Sequence, residues 1–474
     1  MSDRSFLAGC VAIFVLLASA WIHLPGPQHD ELLHLPVLSP LLGPSALYSI
    51  GSLPLMIMTY VGALKGWLLW LWFLVVPMGV IGYRAFGIAV GALTIWLVWR
   101  FARRYYPRPV ALLALALLAT DPSFVHTIRL DYGPVALAHL LKMGSLCLLS
   151  RWLDTGSRPA LAAGMFLLGL GIWDKANFIW FLAGLTATVA ILFPREAAAR
   201  LRGIPLAAAA LVLGAAPFVL YNLTHAGQTW RERGRLEVRW FKLLQAQGTL
   251  NGDFMQTLTG EEQLHTSPPA RDVSFPALAG WTNRLALRRQ TIILPLLALA
   301  VLALPLNLWI GRRRALLFPL LLSLLTYAAM FVTFDGGSSV HHVVMVQPFP
   351  LLFLAASLWT PAERWPRLLP RAAAVGSVAA AVAVNLAVNA RHLAIYTRTG
   401  GTGGFTDAVY RLVPYLAQNP GRKLYALDWG FSHPIAFLGN LAVDDIFFAL
   451  NTDDPAEADR LAALMRDPNN VFLL

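Results

Sequence analysis

Residues 5–34 read SFLAGCVAIFVLLASAWIHLPGPQHDELLH, an apolar segment that ends near Leu24 and is followed by the acidic pair Asp30-Glu31. The apolar part is about as long as the roughly 20 residues that a helix needs to cross a membrane. Carboxylates placed just outside a membrane span are where a membrane enzyme can keep a general base. The stretch therefore predicts a membrane protein whose first loop carries a catalytic group.

The composition supports a membrane protein. Hydrophobic residues make up 57% of the 474 residues, charged residues only 13%, and the mean hydropathy is +0.60. A water-facing surface needs far more charge than this, so a soluble domain is excluded. The net charge is +12, but the basic residues cluster in short gaps between apolar runs, without the pattern of a nucleic-acid module. We expect an all-α polytopic membrane protein with no nucleic-acid partner.

Two further features of the apolar segments are their cysteines and a candidate cleavage site in the first segment. Cys10 and Cys147 both lie inside apolar runs, at no metal-ligand or redox spacing, and are expected to pack against lipid or other helices. Ala18-Ser19-Ala20 is compatible with cleavage by signal peptidase, but we favour a retained first span. Either route leaves Asp30 on the outer face.

The apolar runs predict eleven membrane spans, each close to the required length. They are 5–24, 82–101, 109–125, 134–150, 159–174, 176–193, 204–223, 290–310, 315–333, 343–360 and 372–390.

The connectors between these spans alternate in charge. The basic ones contain Arg100, Arg103, Arg104 and Arg108; Arg151 and Arg158; Arg195, Arg200 and Arg202; Arg312 to Arg314; and Arg364, Arg367 and Arg371. Cytoplasmic loops are enriched in Lys and Arg, so this set is expected inside. The outer regions are then 25–81, 126–133, 224–289 and 334–342, with the turn Asp174-Lys175 and the tail from about 391. This predicts a multi-pass plasma (inner) membrane protein with its active site on the extracytoplasmic face.

The first outer loop contains an apolar stretch, 66–76, with three tryptophans. We expect a helix lying at the membrane interface, where indole rings are enriched, rather than a further span, which would invert every later loop against the arginine pattern. A plain span is the alternative.

The tail after Arg391 has a different character. A Gly-rich linker at 400–404 precedes a helix candidate at 405–418, a strand-like run at 423–427, a helix at 455–466 and a short strand at 471–474. The predicted units are a membrane module over 1–390, with outer loops 25–81 and 224–289, and a small extracytoplasmic α/β domain over 391–474. The chain ends on a strand, which leaves open that the sheet continues beyond this sequence.

Charged groups on the outer side are the candidates for function, because charges at membrane depth or in tight loops are expensive to place. They are Asp30-Glu31, Arg84, Arg129 with Asp131, and Asp174-Lys175. Each has an ordinary explanation: a solvated pair, an arginine reaching for head groups, or local ion pairs. Together they combine a carboxylate base with cations able to stabilise charge on a departing phosphate. Transfer of a group from a lipid-linked phosphate donor requires both kinds of residue.

The sequence resembles a known family, the GT-C membrane glycosyltransferases. Within that family it is similar to the protein mannosyltransferase and lipid A aminoarabinose transferase group. The resemblance covers roughly residues 5–390. It is carried by Asp30-Glu31, Arg84, Asp121-Pro122, Arg129-Leu130-Asp131, Gly169-Leu170-Gly171, Asp174-Lys175 and His341-His342.

The resemblance implies an inverting transfer of a sugar from a polyprenyl-phosphate carrier to an acceptor on the outer face, without a nucleotide donor. The acceptor, whether lipid, glycan or protein, is open, as is the sugar. The catalytic candidates are Asp30 as the base, its neighbour Glu31, and Asp131 as the second acidic residue. Arg84, Arg129 and Lys175 are the candidates for the donor phosphate.

A metal is a further open question. Some relatives use one, and His225, His265, His341 and His342 lie in outer loops, but no ligand spacing fixes a divalent site. His341 and His342 are kept as site candidates. The long outer loop begins like a basic amphipathic helix on anionic lipid, and either a flap over the acceptor or a solvated loop fits it.

Two other functions remain as alternatives. An oligosaccharide ligase or polymerase would also use outer arginines, although it would not need an acidic pair directly after the first span. A flippase or transporter of a lipid-linked sugar would use the same charges for binding, but no inverted repeat or clearly broken helix supports it.

Overall fold

The computed structural model describes residues 2–38, 46–133, 135–265, 273–311, 313–418, 421–428, 430–447, 450 and 455–473. Arg312, which belongs to a predicted basic connector, lies outside this set. Within these ranges helices dominate, and two small three-stranded sheets are present. The all-α membrane fold with a small α/β tail is confirmed.

The helices of the first half of the chain are α1 (Asp3–Ser19), α2 (Leu35–Leu38), α3 (Leu64–Phe73), α4 (Val80–Tyr105), α5 (Arg108–Thr120), α6 (Pro122–Leu130), α7 (Ala136–Thr155), α8 (Arg158–Asp174), α9 (Ile179–Leu192), α10 (Pro194–Ala198), α11 (Ile204–Gly214) and α12 (Ala216–Thr224). Those that follow, up to the tail, are α13 (Gln228–Arg233), α14 (Phe241–Asn251), α15 (Phe254–Thr259), α16 (Pro276–Leu285), α17 (Ile293–Leu302), α18 (Leu304–Ile310), α19 (Arg313–Val332), α20 (Val340–Val343), α21 (Phe349–Arg364) and α22 (Leu368–Thr399).

Each of the eleven predicted spans contains a helix or a pair of helices. Among the residues that the structure describes, three helices, α4, α19 and α22, are long and apolar enough to cross a membrane alone, and four bent pairs raise the number to seven. The chain is therefore a multi-pass membrane protein. The count of eleven is not confirmed, because helices such as α1 and α8 have only 17 residues, about 25 Å at 1.5 Å per residue.

The four bent pairs share one cause. Helices α6, α12, α18 and α21 each have proline in the first turn, at Pro122, Pro217, Pro305 and Pro350. Proline has no N–H to continue a preceding helix, whereas the first turn of a new helix tolerates it. At the 53° bend between α5 and α6, Asp121 also accepts a hydrogen bond from Phe124 N at 2.8 Å, so the new helix begins with a side-chain cap.

Small residues let two of the helices approach closely. A Cβ atom on Gly169 of α8 would lie 2.1 Å from the carbonyl oxygen of Leu211, and one on Gly214 of α11 would lie 2.2 Å from that of Phe166. Contact of this kind between small residues is typical of helix packing in membranes, where burial of apolar surface gives no driving force.

The basic connectors gather at one end of the helix bundle. Asp3 at the start of α1 pairs with Arg103 at 3.2 Å and with Arg108, while Arg314 pairs with Glu196 at 2.6 Å. The loops that carry the candidate site lie at the opposite ends of the same helices. This separation follows the alternation of charge in the sequence.

The first outer loop forms a hairpin-like sheet and a short helix. Strands β1 (Tyr48–Ile50), β2 (Leu53–Met58) and β3 (Val61–Gly62) pair antiparallel in that order. Helix α3 follows with ten residues, about 15 Å, half the thickness of a bilayer core. Its length fits the predicted interfacial helix, and its position at the interface stays a prediction.

The tail forms a parallel sheet with helices beside it. Its elements are α23 (Val409–Ala417), β4 (Lys423–Ala426), α24 (Ser432–Gly439), β5 (Val443–Asp445), α25 (Pro455–Arg466) and β6 (Asn470–Leu473). The strand order is β5-β4-β6, with β4 parallel to both neighbours. Four of these elements were predicted from the sequence, whereas α24 and β5 were not. The domain boundary near residue 390 stays a prediction, and α22 continues past it to Thr399.

Candidate functional site

Glu31 and Arg84, both predicted site residues, form a buried ion pair. Arg84 Nε lies 2.7 Å from Glu31 Oε1, and Arg84 Nη2 lies 2.9 Å from Glu31 Oε2. Each side chain is at most 1% exposed. This bidentate geometry matches the guanidinium fork to the carboxylate and joins the first outer loop to α4.

Arg84 also binds the backbone of the same loop. Its Nη1 donates to the carbonyl oxygens of Ile22 at 2.8 Å and Pro25 at 2.9 Å, and Nη2 donates to Gly26 at 3.3 Å. With the two bonds to Glu31, all five guanidinium N–H groups are engaged. The predicted phosphate role of Arg84 stays a prediction, and it would require one of these bonds to open.

Arg129 holds the end of α1 in a similar way. Its Nη1 donates to the carbonyl of Ala20 at 2.6 Å, and its Nη2 donates to those of Trp21 and Leu24, both at 2.5 Å. Its guanidinium also lies over the ring of Tyr396, 5.1 Å from the centroid. Arg84 and Arg129 together fix residues 20–26, the segment that leads into Asp30.

Asp131 combines a backbone role with a charge pair. Its φ of 41° is left-handed, and its Oδ1 accepts from the backbone nitrogens of Val135 at 2.8 Å and Ala136 at 2.9 Å, at the start of α7. Its Oδ2 pairs with Lys65 Nζ of α3, and both side chains are at most 5% exposed. Asp131 therefore ties the first outer loop to the turn between α6 and α7.

Asp174 and Lys175 complete a buried cluster of charge around this pair. Asp174 is fully buried and interacts electrostatically with Asp131, Lys65 and Lys175. Lys175 Nζ donates to the carbonyl of Gly133 at 2.6 Å. Burial lowers the pKa of Lys175 to about 8, against the opposing effect of nearby carboxylates, Asp30 first among them.

Asp30 differs from the other two acidic candidates. Glu31 and Asp131 form ion pairs, but among the residues that the structure describes none lies within ion-pairing distance of the Asp30 carboxylate. Its side chain is nevertheless close enough to Lys175, and to the tyrosines Tyr60 and Tyr132, for electrostatic interaction with each of them. Burial raises the pKa of Asp30, and Lys175 acts in the opposite direction. A partly shielded carboxylate without a bound cation is what a general base requires.

His341 and His342 lie next to Lys175. Together with Trp180 and Phe178 they line a small hollow, whose free volume of about 10 Å³ is of the size of one water molecule. His341 packs edge-on against Tyr132 with ring centroids 4.9 Å apart. Tyr132 in turn interacts electrostatically with Asp30. The structure thus brings Asp30, Lys175 and the two histidines together.

No metal site is found in the described ranges. Within them, no group of three or more His, Cys, Asp or Glu side chains has the arrangement needed to hold an ion. His225 stacks on Tyr221 instead, with ring centroids 4.6 Å apart.

Sequence reasoning missed several residues of this site, among them Lys65, Tyr60, Tyr132 and Arg233. Arg233 lies over the Tyr60 ring, 4.6 Å from its centroid, and interacts electrostatically with Lys175. Its side chain is 40% exposed and pairs with the similarly accessible Asp335, Nη1 to Oδ2 at 2.9 Å, so an incoming anion would compete with a solvent-screened surface pair. Lys65 carried one usable signal, since it is a single charge in an apolar helix.

The long outer loop folds into α13 to α16. Its basic start does not form one helix, because α13 ends at Arg233 and Lys242 is buried in α14, where its Nζ donates to three backbone carbonyls. A cavity of about 460 Å³ lies between α14, α15 and residues 289–290, lined by polar side chains such as Asn251, Asp253 and Arg289. The flap role of this loop stays a prediction.

Comparison with known proteins adds to this geometry. The family model described as dolichyl-phosphate-mannose-protein mannosyltransferase matches residues 62–221. That range carries Lys65, Arg84, Asp131 and Lys175, but not Asp30. ArnT from Cupriavidus metallidurans, solved bound to undecaprenyl phosphate, superposes with a TM-score of 0.58 at 14% identity, over 98% of this chain and 92% of that chain. The chain has a GT-C fold.

The resemblance predicted from the sequence is thereby confirmed. The Archaeoglobus fulgidus oligosaccharyltransferase, in a complex with zinc and sulfate, superposes with a TM-score of 0.55 at 12% identity, over 93% of this chain and 62% of that chain. The same protein tethered to an acceptor peptide gives a TM-score of 0.52 at 13% identity, over 97% and 68%. No curated protein matches the chain significantly in sequence. Identities this low support the GT-C fold alone.

Proposed function

We propose that this chain is an inverting glycosyltransferase that moves a sugar from a polyprenyl-phosphate donor to an acceptor hydroxyl on the extracytoplasmic face of the plasma membrane. The observation that carries the proposal is the placement of Asp30. Its carboxylate lies at the end of the bundle away from the basic connectors, is partly shielded from solvent, interacts with the charge of Lys175 and forms no ion pair with any residue that the structure describes. The ArnT structure with undecaprenyl phosphate supports the choice of donor class.

In the proposed reaction, one bond to the anomeric carbon forms while another breaks, and the proton released has an acceptor. The Asp30 carboxylate accepts the proton of the acceptor hydroxyl while that oxygen forms a bond to the anomeric carbon. The bond from the anomeric carbon to the phosphate oxygen breaks on the opposite side, so the configuration inverts and polyprenyl phosphate leaves. Cations near the departing oxygen stabilise its charge.

The candidate cations for the phosphate differ in how many of their N–H groups are already bonded within the protein. Lys175 is buried with one bond to a carbonyl, and Arg233 is partly exposed above Tyr60, where its only ion pair in the described part of the chain is the solvent-accessible one with Asp335. Arg84 and Arg129 are occupied by carbonyls and by Glu31. We therefore expect Lys175 and Arg233 to contact the phosphate directly, and Arg84 and Arg129 to hold the loop that presents Asp30.

The test is a donor assay on purified full-length protein in detergent. A panel of polyprenyl-phosphate-linked sugars is supplied with and without candidate hydroxyl acceptors, and free polyprenyl phosphate is measured by mass spectrometry. We expect its release to depend on the acceptor and to be stoichiometric with glycosylated product.

The alternatives give different results in the same assay. A flippase or transporter would bind the donor without releasing polyprenyl phosphate. A ligase or polymerase would act on donors that carry a whole glycan and leave single-sugar donors intact. Either result would reject the proposed reaction.

A further inference from the structure

The tail domain rests on the first outer loop. Tyr410 Oη donates to the carbonyl of His23 at 2.7 Å. The backbones also touch: a Cβ atom on Gly26 would lie 2.0 Å from the carbonyl oxygen of Thr406. These contacts fall on the residues immediately before Asp30.

Two histidines form the innermost contact between the domain and the loop. The Nδ1 atoms of His29 and His433 lie 2.8 Å apart, and the rings meet edge to face with centroids 3.9 Å apart. Their exposures are 4% and 6%. A hydrogen bond between two Nδ1 atoms needs one proton, so one ring donates and the other accepts.

The His433 side of this contact is fixed by its own domain. Ser432 Oγ lies 3.2 Å from His29 Nδ1, and it donates to Asp445 Oδ2 at 3.3 Å. Asp445 closes strand β5, whereas Ser432 and His433 begin α24. The first turn of one helix and the end of one strand therefore hold the histidine pair.

The pair is directly connected to the proposed base. His29 precedes Asp30 in the chain, and Asp30 interacts electrostatically with Lys175 and Tyr132, which belong to the membrane module. Phe405, directly after the Gly-rich linker to the tail domain, contacts Tyr132 with ring centroids 5.6 Å apart. The loop is thus held between the tail domain and the membrane helices.

We infer that His433 is a positioning residue for the glycosyl transfer, acting through His29 to hold Asp30 at its distance from Lys175, so that the tail domain is part of the active site. The inference rests on the proposed function for its catalytic consequence. Its geometric consequence, a fixed position of residue 30, can be measured without turnover.

The decisive comparison is His433→Leu with His433→Asn in the full-length protein. Leucine removes the hydrogen bond, whereas the asparagine amide keeps a donor and an acceptor close to the position of Nδ1. We expect His433→Leu to lower kcat roughly tenfold, since small misplacements of a catalytic group have effects of this size or larger, with little change in KM for the donor. His433→Asn should restore most of the rate.

Two readouts separate positioning from loss of folding. In His433→Leu the acid limb of the pH–rate profile should move to higher pH, because Asp30 loses the effect of Lys175. The double variant His29→Leu/His433→Leu should lose no more than either single variant, since residues that act through one contact are not additive. Asp459→Asn, an exposed change on α25 of the same domain, is the matched control and should behave as wild type.

A labelling experiment tests the geometry independently of activity. The thiol of Asp30→Cys should react several-fold faster with a water-soluble maleimide when His433→Leu is added, and at an unchanged rate when His433→Asn is added. Equal labelling in all three proteins, or leucine and asparagine variants with identical pH profiles, would overturn the inference. A wild type that releases no polyprenyl phosphate while labelling follows this pattern would reject the proposed function and leave the positioning intact.

Discussion

Asp30 and Glu31 are neighbours in the sequence and have opposite surroundings in the structure. Glu31 is buried, and its two oxygens are taken by Arg84. Asp30 interacts electrostatically with Lys175 and two tyrosines and has no ion pair in the described part of the chain. The first arrangement holds a loop, and the second suits a proton acceptor. The predicted catalytic role of Glu31 therefore stays a prediction, and the geometry favours a supporting one.

The pH dependence of the reaction follows from Asp30 and Lys175. The base must be deprotonated, and burial raises the pKa of Asp30, so activity should fall on acidification at a pH above the ordinary range of an aspartate. Burial lowers the pKa of Lys175 to about 8, so its charge, and with it part of the rate, should be lost above about pH 8.

Lys175→Met tests this coupling. Removal of the positive charge leaves the Asp30 carboxylate less stabilised, so its pKa rises further and the acid limb of kcat/KM against pH should move to higher pH. The basic limb should weaken at the same time. Arg235→Met is the control, a change of another outer-loop cation. An acid limb that stays in place in Lys175→Met would contradict the coupling.

The Glu31–Arg84 pair makes a different prediction, on stability. Glu31→Gln leaves a buried guanidinium without its counter-charge, and breaking a buried pair from one side typically costs about 3–5 kcal/mol. We expect the thermal unfolding midpoint in detergent to fall clearly in Glu31→Gln and to change little in Asp30→Asn. Equal midpoints for the two variants would mean that the pair does not hold the loop.

At the scale of elements, apolar run length was enough to locate the helices. Each predicted span contains one, and the breaks fall at prolines such as Pro122 and Pro305 that are visible in the sequence. Helix α24 was missed because Pro434 interrupts its pattern, and β5 because three residues give no alternation. The partner of Asp131 was also missed, since no local pattern indicates that Lys65 of α3 reaches the end of α6.

The close approach of α8 and α11 gives a testable consequence. In Gly169→Ala the new methyl group would meet the carbonyl oxygen of Leu211, a backbone atom that cannot move alone, and such overpacking typically costs 1–3 kcal/mol. Gly376→Ala in α22 is the matched control, because nothing lies within 4 Å of its added Cβ. Thermal unfolding in detergent should be lowered in the first variant only. A stable Gly169→Ala protein would show that the helices are not in this contact.

At the scale of the whole molecule, charge is divided between the two ends of the bundle. Ion pairs of Asp3, Arg104 and Arg314 mark one end, and Asp30 with its neighbours marks the other. The positive-inside rule assigns the first end to the cytoplasm. The separation itself could be predicted from the sequence, because it follows from the alternation of basic and less basic connectors. The convergence of distant loops on Asp30 could not, because it depends on tertiary packing.

The orientation is open to direct measurement. We expect a cysteine placed at Gln247, exposed on α14, to react in intact cells with a maleimide that does not cross membranes. A cysteine at Thr155, exposed at the end of α7 among the basic connectors, should react only after the cells are opened. The reverse pattern would place Asp30 in the cytoplasm and contradict the proposed orientation.

The most direct test of the account is the rate of polyprenyl phosphate release by Asp30→Asn, which keeps the shape of the side chain and removes the base. Loss of a general base typically lowers the rate by about 10²–10⁴-fold, and we predict a loss in this range, with donor binding and thermal unfolding unchanged. Glu237→Gln, an isosteric change in the long outer loop, should retain full activity. A folded Asp30→Asn protein that transfers sugar at nearly the wild-type rate would contradict the assignment of Asp30 as the base.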